Sequence, residues 1–236
     1  EIDTILTFER KSIDKLVLNY DNEVPEYNLR NNWKSLNSFS LNRPLKMTFF
    51  QDLEDPHRSQ LFYVPTLLFN KYDGFTPGFA FYNYSIFDKP FMFSLNPMYS
   101  FNTKSIIGSY SFAFNQYLRE SRLYYIRYSA NGSSYHYAPD AAYLKLYPSV
   151  SFYFRQPNYR DNRKQAIFLK YNIINKEPSA VVIDSTDNYS ILNLKYTNIK
   201  TEITSHVKFQ TDVQLSGYFG KVSAEMEYRK LFNDNR

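Results

Sequence analysis

Residues 206–229 read HVKFQTDVQLSGYFGKVSAEMEYR. In the first half Val207, Phe209, Val213 and Leu215 alternate with His206, Lys208, Gln210, Asp212 and Gln214. In the second, Val222, Ala224, Met226 and Tyr228 alternate with Ser223, Glu225, Glu227 and Arg229. A helix would spread these charges around its circumference, whereas a strand sorts them onto one of two faces. The stretch predicts two amphipathic strands, one face apolar and the other polar.

The same period runs upstream. Ile167, Leu169, Tyr171 and Ile173 flank Lys170 and Asn172, and Leu192, Leu194 and Tyr196 flank Asn193, Lys195 and Thr197. Further back the apolar partners become aromatic. Phe91, Phe93, Leu95, Tyr99 and Phe101 alternate with Ser94, Asn96 and Ser100, and Tyr110, Phe112 and Phe114 with Ser109 and Ser111. From Tyr143 to Arg155, Leu144, Leu146, Val150, Phe152 and Phe154 are set against Lys145, Ser149, Ser151 and Arg155. Stretches near 60–70, 75–84 and 121–130 alternate less strictly but are rich in Phe and Tyr. About ten strands are expected between Gln60 and Leu231. Breakers divide them at Tyr72-Asp73-Gly74, Phe87–Pro90, Asn131-Gly132-Ser133, Asn158–Asn162 and Asp184–Asn188. Hairpins joined in this way predict an up-and-down antiparallel sheet, with no helix between strands. Ile13–Tyr20 and Leu45–Phe50 read as further strands and Asp21–Asn32 as loop. The expected division is an N-terminal segment, 1–43, leading into a single β domain, 44–236.

Composition agrees. The chain has 236 residues with Tyr 23, Phe 21 and Trp 1, yet 22% of residues are charged. So many rings in so polar a chain require close interleaving. Cys is absent, which excludes disulfide scaffolds and thiolate metal sites. The 28 Lys and Arg exceed the 23 Asp and Glu by five but are scattered singly, which gives no nucleic-acid stripe. No apolar run reaches the roughly 20 residues of a helical membrane span, and Glu1–Tyr20 carries no signal-peptide pattern, so a mature or internal start is expected.

Strand length separates two architectures. Ordinary strands average about five or six residues, and a strand tilted across a bilayer needs about 9–11. These are of the longer kind. The expectation is an all-β, antiparallel, up-and-down transmembrane β-barrel of about 10–12 strands, apolar face to lipid. The ending Leu231–Arg236 reads as a turn, so the barrel is expected to be incomplete at its C-terminal end. Tyr99, Phe101, Tyr124, Tyr125, Tyr153 and Phe154 are the expected interface aromatics. Lys170, Lys195, Lys208, Asp212, Glu225, Glu227 and Arg229 are the expected lumen-facing polar residues. Charges of both signs in a wide pore would set ion selectivity; in a barrel this narrow they are expected to pair and fill the interior. The competing architecture is a soluble β-sandwich that binds ligands on aromatic platforms.

Catalytic chemistry finds no foothold. His57, His136 and His206 lack metal-site spacing and read as loop or lumen histidines. Asp52, Glu54 and Asp55 read as a solvated or salt-bridged turn rather than a cation site. Sequons at Asn83, Asn131 and Asn188 read as chance. No catalytic, cofactor-binding or metal residue, and no cofactor, is expected.

Several segments together carry a resemblance: Pro44-Leu45-Lys46 through Asp52–Pro56, Gln60–Pro65, Tyr72–Gly78 and Asn96–Ser100. From about Glu26 to Glu177 the chain resembles the C-terminal outer-membrane region of aminopeptidase-N-like zinc metallopeptidases of the gluzincin type from Bacteroidota. That family's zinc site, a His-Glu-x-x-His with a distant Glu, lies in a preceding domain, and nothing here matches it. The resemblance implies a bacterial outer-membrane anchor for a peptidase-like region, partnered by the lipid bilayer and by other outer-membrane proteins of an assembly or secretion complex. A porin-like channel for small solutes is the alternative.

Overall fold

The computed structural model describes residues 5, 7, 9 and 13–232, except 27, 38–40, 87, 159 and 183–187. Most of the breaker expected at Asp184–Asn188 and most of the expected C-terminal turn therefore lie outside the described residues. The chain is all-β, and contacts divide it into Glu1–Tyr63 and Val64–Arg236.

In the first unit, β1 (Lys15–Val17) pairs antiparallel with β2 (Trp33–Ser35). A single 3-10 turn, Leu29–Asn32, precedes β2 and is capped by the Asn28 side chain. Tyr20, Trp33 and His57 form a ring cluster, with the Tyr20 and His57 centroids 4.8 Å apart. The acidic turn is salt-bridged: Arg30 clasps Glu54 through two 2.6 Å hydrogen bonds, and Lys46 lies 3.8 Å from Asp55. β3 (Leu45–Phe49) pairs with Ser59–Tyr63, the beginning of β4 (Ser59–Asn70), in parallel. The expected antiparallel order is therefore corrected here. A hairpin would need a tight reversal, and the connection from Phe50 to Arg58 runs back to restart the chain in the same direction.

The second unit continues from β4 through β5 (Gly74–Tyr82), β6 (Phe91–Ser100), β7 (Ser105–Tyr117), β8 (Leu123–Ala138) and β9 (Ala141–Phe154). It ends with β10 (Lys164–Lys176), β11 (Tyr189–Thr201), β12 (Ser205–Ser216) and β13 (Gly220–Lys230). Each strand neighbours the next in sequence, and the sheet order ends on β13. Among the described residues β13 is bonded on one side only, so no closed barrel is present.

One breaker is misplaced in the sequence reading. Asn131-Gly132-Ser133 lies inside β8, and the chain reverses at Pro139-Asp140 instead. Gly132 stays in the strand because the Tyr110 ring covers it, leaving no room for a Cβ.

Burial assigns the two faces. Along β6 and β7, Met92, Met98, Ile107 and Ala113 are buried, while their chain neighbours Phe91, Tyr99, Ile106 and Phe114 are 43–78% exposed. The buried face is concave. Thr66 on β4 reaches over β5 to hydrogen-bond Asn96 on β6 at 2.9 Å, although strands two apart stand roughly 9.6 Å from each other in a flat sheet.

Candidate functional site

The register carries each face from strand to strand. On the convex side Phe114, Tyr128, Val150, Leu169, Leu194, Val213 and Val222 form one apolar row across β7–β13. Leu194 is 45% exposed and Val222 75%, since nothing among the described residues covers this face. A shallow groove of about 460 Å³ runs along it, lined by Phe91, Phe112, Phe114, Leu169 and Leu192. On the concave side Arg127, Ser151, Phe168, Lys195 and Asp212 form a row, with Ser129, Ser149, Lys170, Asn193 and Gln214 beside it.

All seven charged residues singled out in the sequence share this concave face, since Glu225, Glu227 and Arg229 stand opposite Gln210, Lys208 and His206. Lys208 Nζ lies 3.3 Å from Glu225, Arg229 pairs with Glu227, and Asn193 donates to both Asp212 oxygens at 2.9 Å. Lys170 instead sits 4.7 Å above the Tyr147 ring, which Lys145 also approaches at 5.7 Å. Charge is unevenly distributed: β4–β7 contain no Asp, Glu, Lys or Arg, and every charged strand residue of this unit lies in β8–β13.

The six aromatics fall at the two ends of the sheet. Tyr99 and Phe101 meet at 5.5 Å beside the β6–β7 turn, where Phe75 stacks on Phe101. Tyr124, Tyr125, Tyr153 and Phe154 lie at the opposite end. There the register shifts between Leu123 and Tyr125, so the bulge falls at Tyr124, while Tyr125 and its partner Tyr153 keep the phase of Arg127 and Ser151 and lie on the concave face. Tyr125 donates its hydroxyl to Asn115 at 2.7 Å. Next to them a cavity of about 710 Å³ is lined by Tyr153, Phe168, Arg155, Arg163 and Lys164.

Sequence reasoning missed a buried polar cluster. Asp73, in the β4–β5 turn, is fully buried. Its carboxylate accepts from the Asn70 amide at 2.8 Å, the His136 backbone N–H at 3.1 Å and His136 Nδ1 at 2.6 Å. An ionised carboxylate only accepts, so Nδ1 carries the proton. Burial pushes the Asp73 carboxyl upward, but the hydrogen bonds from Asn70 and His136 outweigh it and hold the group below its ordinary value. Ser100 Oγ donates to the Asp73 carbonyl, and Thr103 Oγ1 lies 2.6 Å from Ser100 Oγ. These hydroxyls serve the aspartate and each other rather than the imidazole, so the cluster is a tether from a turn to β8 and not a nucleophilic triad. Nothing in sequence links positions 63 residues apart. Among the described residues no three His, Asp or Glu side chains group as a metal set.

Compared with known proteins, the chain matches no family model, no curated protein and no solved structure.

Proposed function

We propose that this chain is the membrane-spanning β-barrel of a bacterial outer-membrane protein, an anchor that acts by location and offers its rim to neighbouring envelope proteins. The observation that carries the reading is the inverted amphipathicity of the sheet, whose large apolar side chains are exposed on the convex face while polar ones, with the buried Met92, Met98 and Ile107 among them, line the concave face. A soluble sandwich would bury the oily face against a second layer, whereas lipid covers it at no cost. Strands of 9–16 residues in β4–β13 fit the roughly 9–11 needed for a tilted span. The series from β4 to β13 is even-numbered, so its first and last strands run in opposite directions and can close an antiparallel barrel, pairing every backbone group as hydrocarbon demands. The resemblance to the gluzincin-type proteins supports an anchored peptidase-like region elsewhere in the parent protein.

The absence of native cysteine makes the test clean. Leu194→Cys and Phe209→Cys, on the convex face, should carry a fluorophore that lipid-tethered quenchers reach in vesicles, and Asn193→Cys should not. A chain that stays folded and monomeric in buffer without detergent, or labels quenched alike on both faces, would overturn the proposal.

A further inference from the structure

On the concave face the charges do not balance. Arg127 on β8, Lys145 on β9 and Lys164, Lys170 and Lys176 on β10 point there by register. So do Lys195 on β11, Lys208 on β12 and Lys221 and Arg229 on β13. Against these nine the strands offer three carboxylates: Asp212, which accepts from the neutral Asn193 amide and stands opposite Lys195, and Glu225 and Glu227, paired with Lys208 and Arg229. The flanking connections add Asp88, which lines a cavity with Arg127, and Glu177, adjacent to Lys176 and bonded to the Ala142 N–H. Among the described residues the surplus stands around Lys145 and Lys170. A dry, filled interior cannot hold it, because a buried charge without a counter-charge costs several kcal/mol. Water and counter-ions must occupy the space.

We infer that the concave face of β8–β13 is an aqueous compartment that concentrates small anions, inorganic or carboxylate, around Lys145 and Lys170. The Tyr147 ring beneath these two ammonium groups holds them over the sheet, and at the end cavity Arg155 and Lys164 continue the same sign outward, while Arg163 there lies 4.0 Å from Asp161. The inference rests on the barrel reading for the enclosure of this face, but not for its charge.

The experiment compares reaction rates of single cysteines with a sulfonate-bearing and a trimethylammonium-bearing methanethiosulfonate, in vesicles at low salt. Ser149→Cys stands opposite Lys170 in register, and Ser151→Cys serves should the first variant fold poorly. Gly217→Cys, in an open turn with no neighbour within 4 Å, is the reference. The ratio of anionic to cationic rate should exceed the Gly217→Cys ratio about tenfold. It should fall to the reference value in Lys145→Glu/Lys170→Glu chains and at high salt. A ratio equal to the reference, or a thiol that neither reagent reaches, would overturn the inference. Failure of lipid contact at Leu194→Cys would overturn the barrel reading instead.

Discussion

Asp73 draws together its own turn through Asn70, the β6–β7 turn through Ser100 and the end of β8 through His136. Asp73→Ala strands the half-buried His136 N–H and ring, which should cost about 3 kcal/mol in denaturant midpoints measured in detergent. Acid provides a finer test. With the folded carboxyl below its ordinary value of 3.8, its stabilisation is complete above that value and is lost as pH falls through the depressed one. The stability gap between the parent chain and Asp73→Asn should therefore stay constant at neutral pH and narrow in strong acid. A gap that widened on acidification would contradict the sign. No sequence signal marks this residue, because an Asp in a turn is commonplace and its partner lies across three intervening strands.

At the level of elements, the β6–β7 hairpin depends on close backbone approach. Gly108 has φ +141 and a Cβ there would stand 2.0 Å from the Asn96 carbonyl oxygen. Gly108→Ala should destabilise by about 3 kcal/mol or prevent folding, whereas Gly217→Ala, in open space, should be neutral or gain about 0.5 kcal/mol. Both follow from urea titrations. Strands such as β10–β13 were legible because charge and aliphatic residues alternate strictly, and the period alone assigned Lys195, Asp212 and Glu225 to one face. Where local composition competes with long-range contacts, the reading failed. Asn131-Gly132-Ser133 has turn chemistry, yet pairing on both sides, to β7 and to β9, keeps it extended. The bulge at Tyr124 is invisible to a period-two count, so the pairing of Leu123 with Phe154 was not foreseeable, whereas the alternation with Ser151 and Arg155 already puts Tyr153 on the polar face.

For the whole molecule, self-repulsion on the concave face predicts that Lys145→Gln/Lys170→Gln chains melt several degrees higher at low salt, an advantage that should vanish near molar salt. An unchanged or lower melting temperature would show those ammonium groups to be compensated. Closure predicts that in vesicles at least one cysteine pair joining Ala224 or Met226 on β13 to Leu67 or Phe69 on β4, all on the convex face, forms a disulfide. Uniform failure across such a panel would leave the sheet open. The uneven sharing of ionised groups between β4–β7 and β8–β13 bears on how such a chain enters hydrocarbon. In the proposed barrel the strands of the leading hairpins would bring no charge into the apolar slab, Lys71, Asp73 and Lys104 being confined to their turns, whereas the strands of each hairpin from β8 onward would bring at least one. These four uncharged strands are thereby fitted to insert first and to template the threading of their costlier successors.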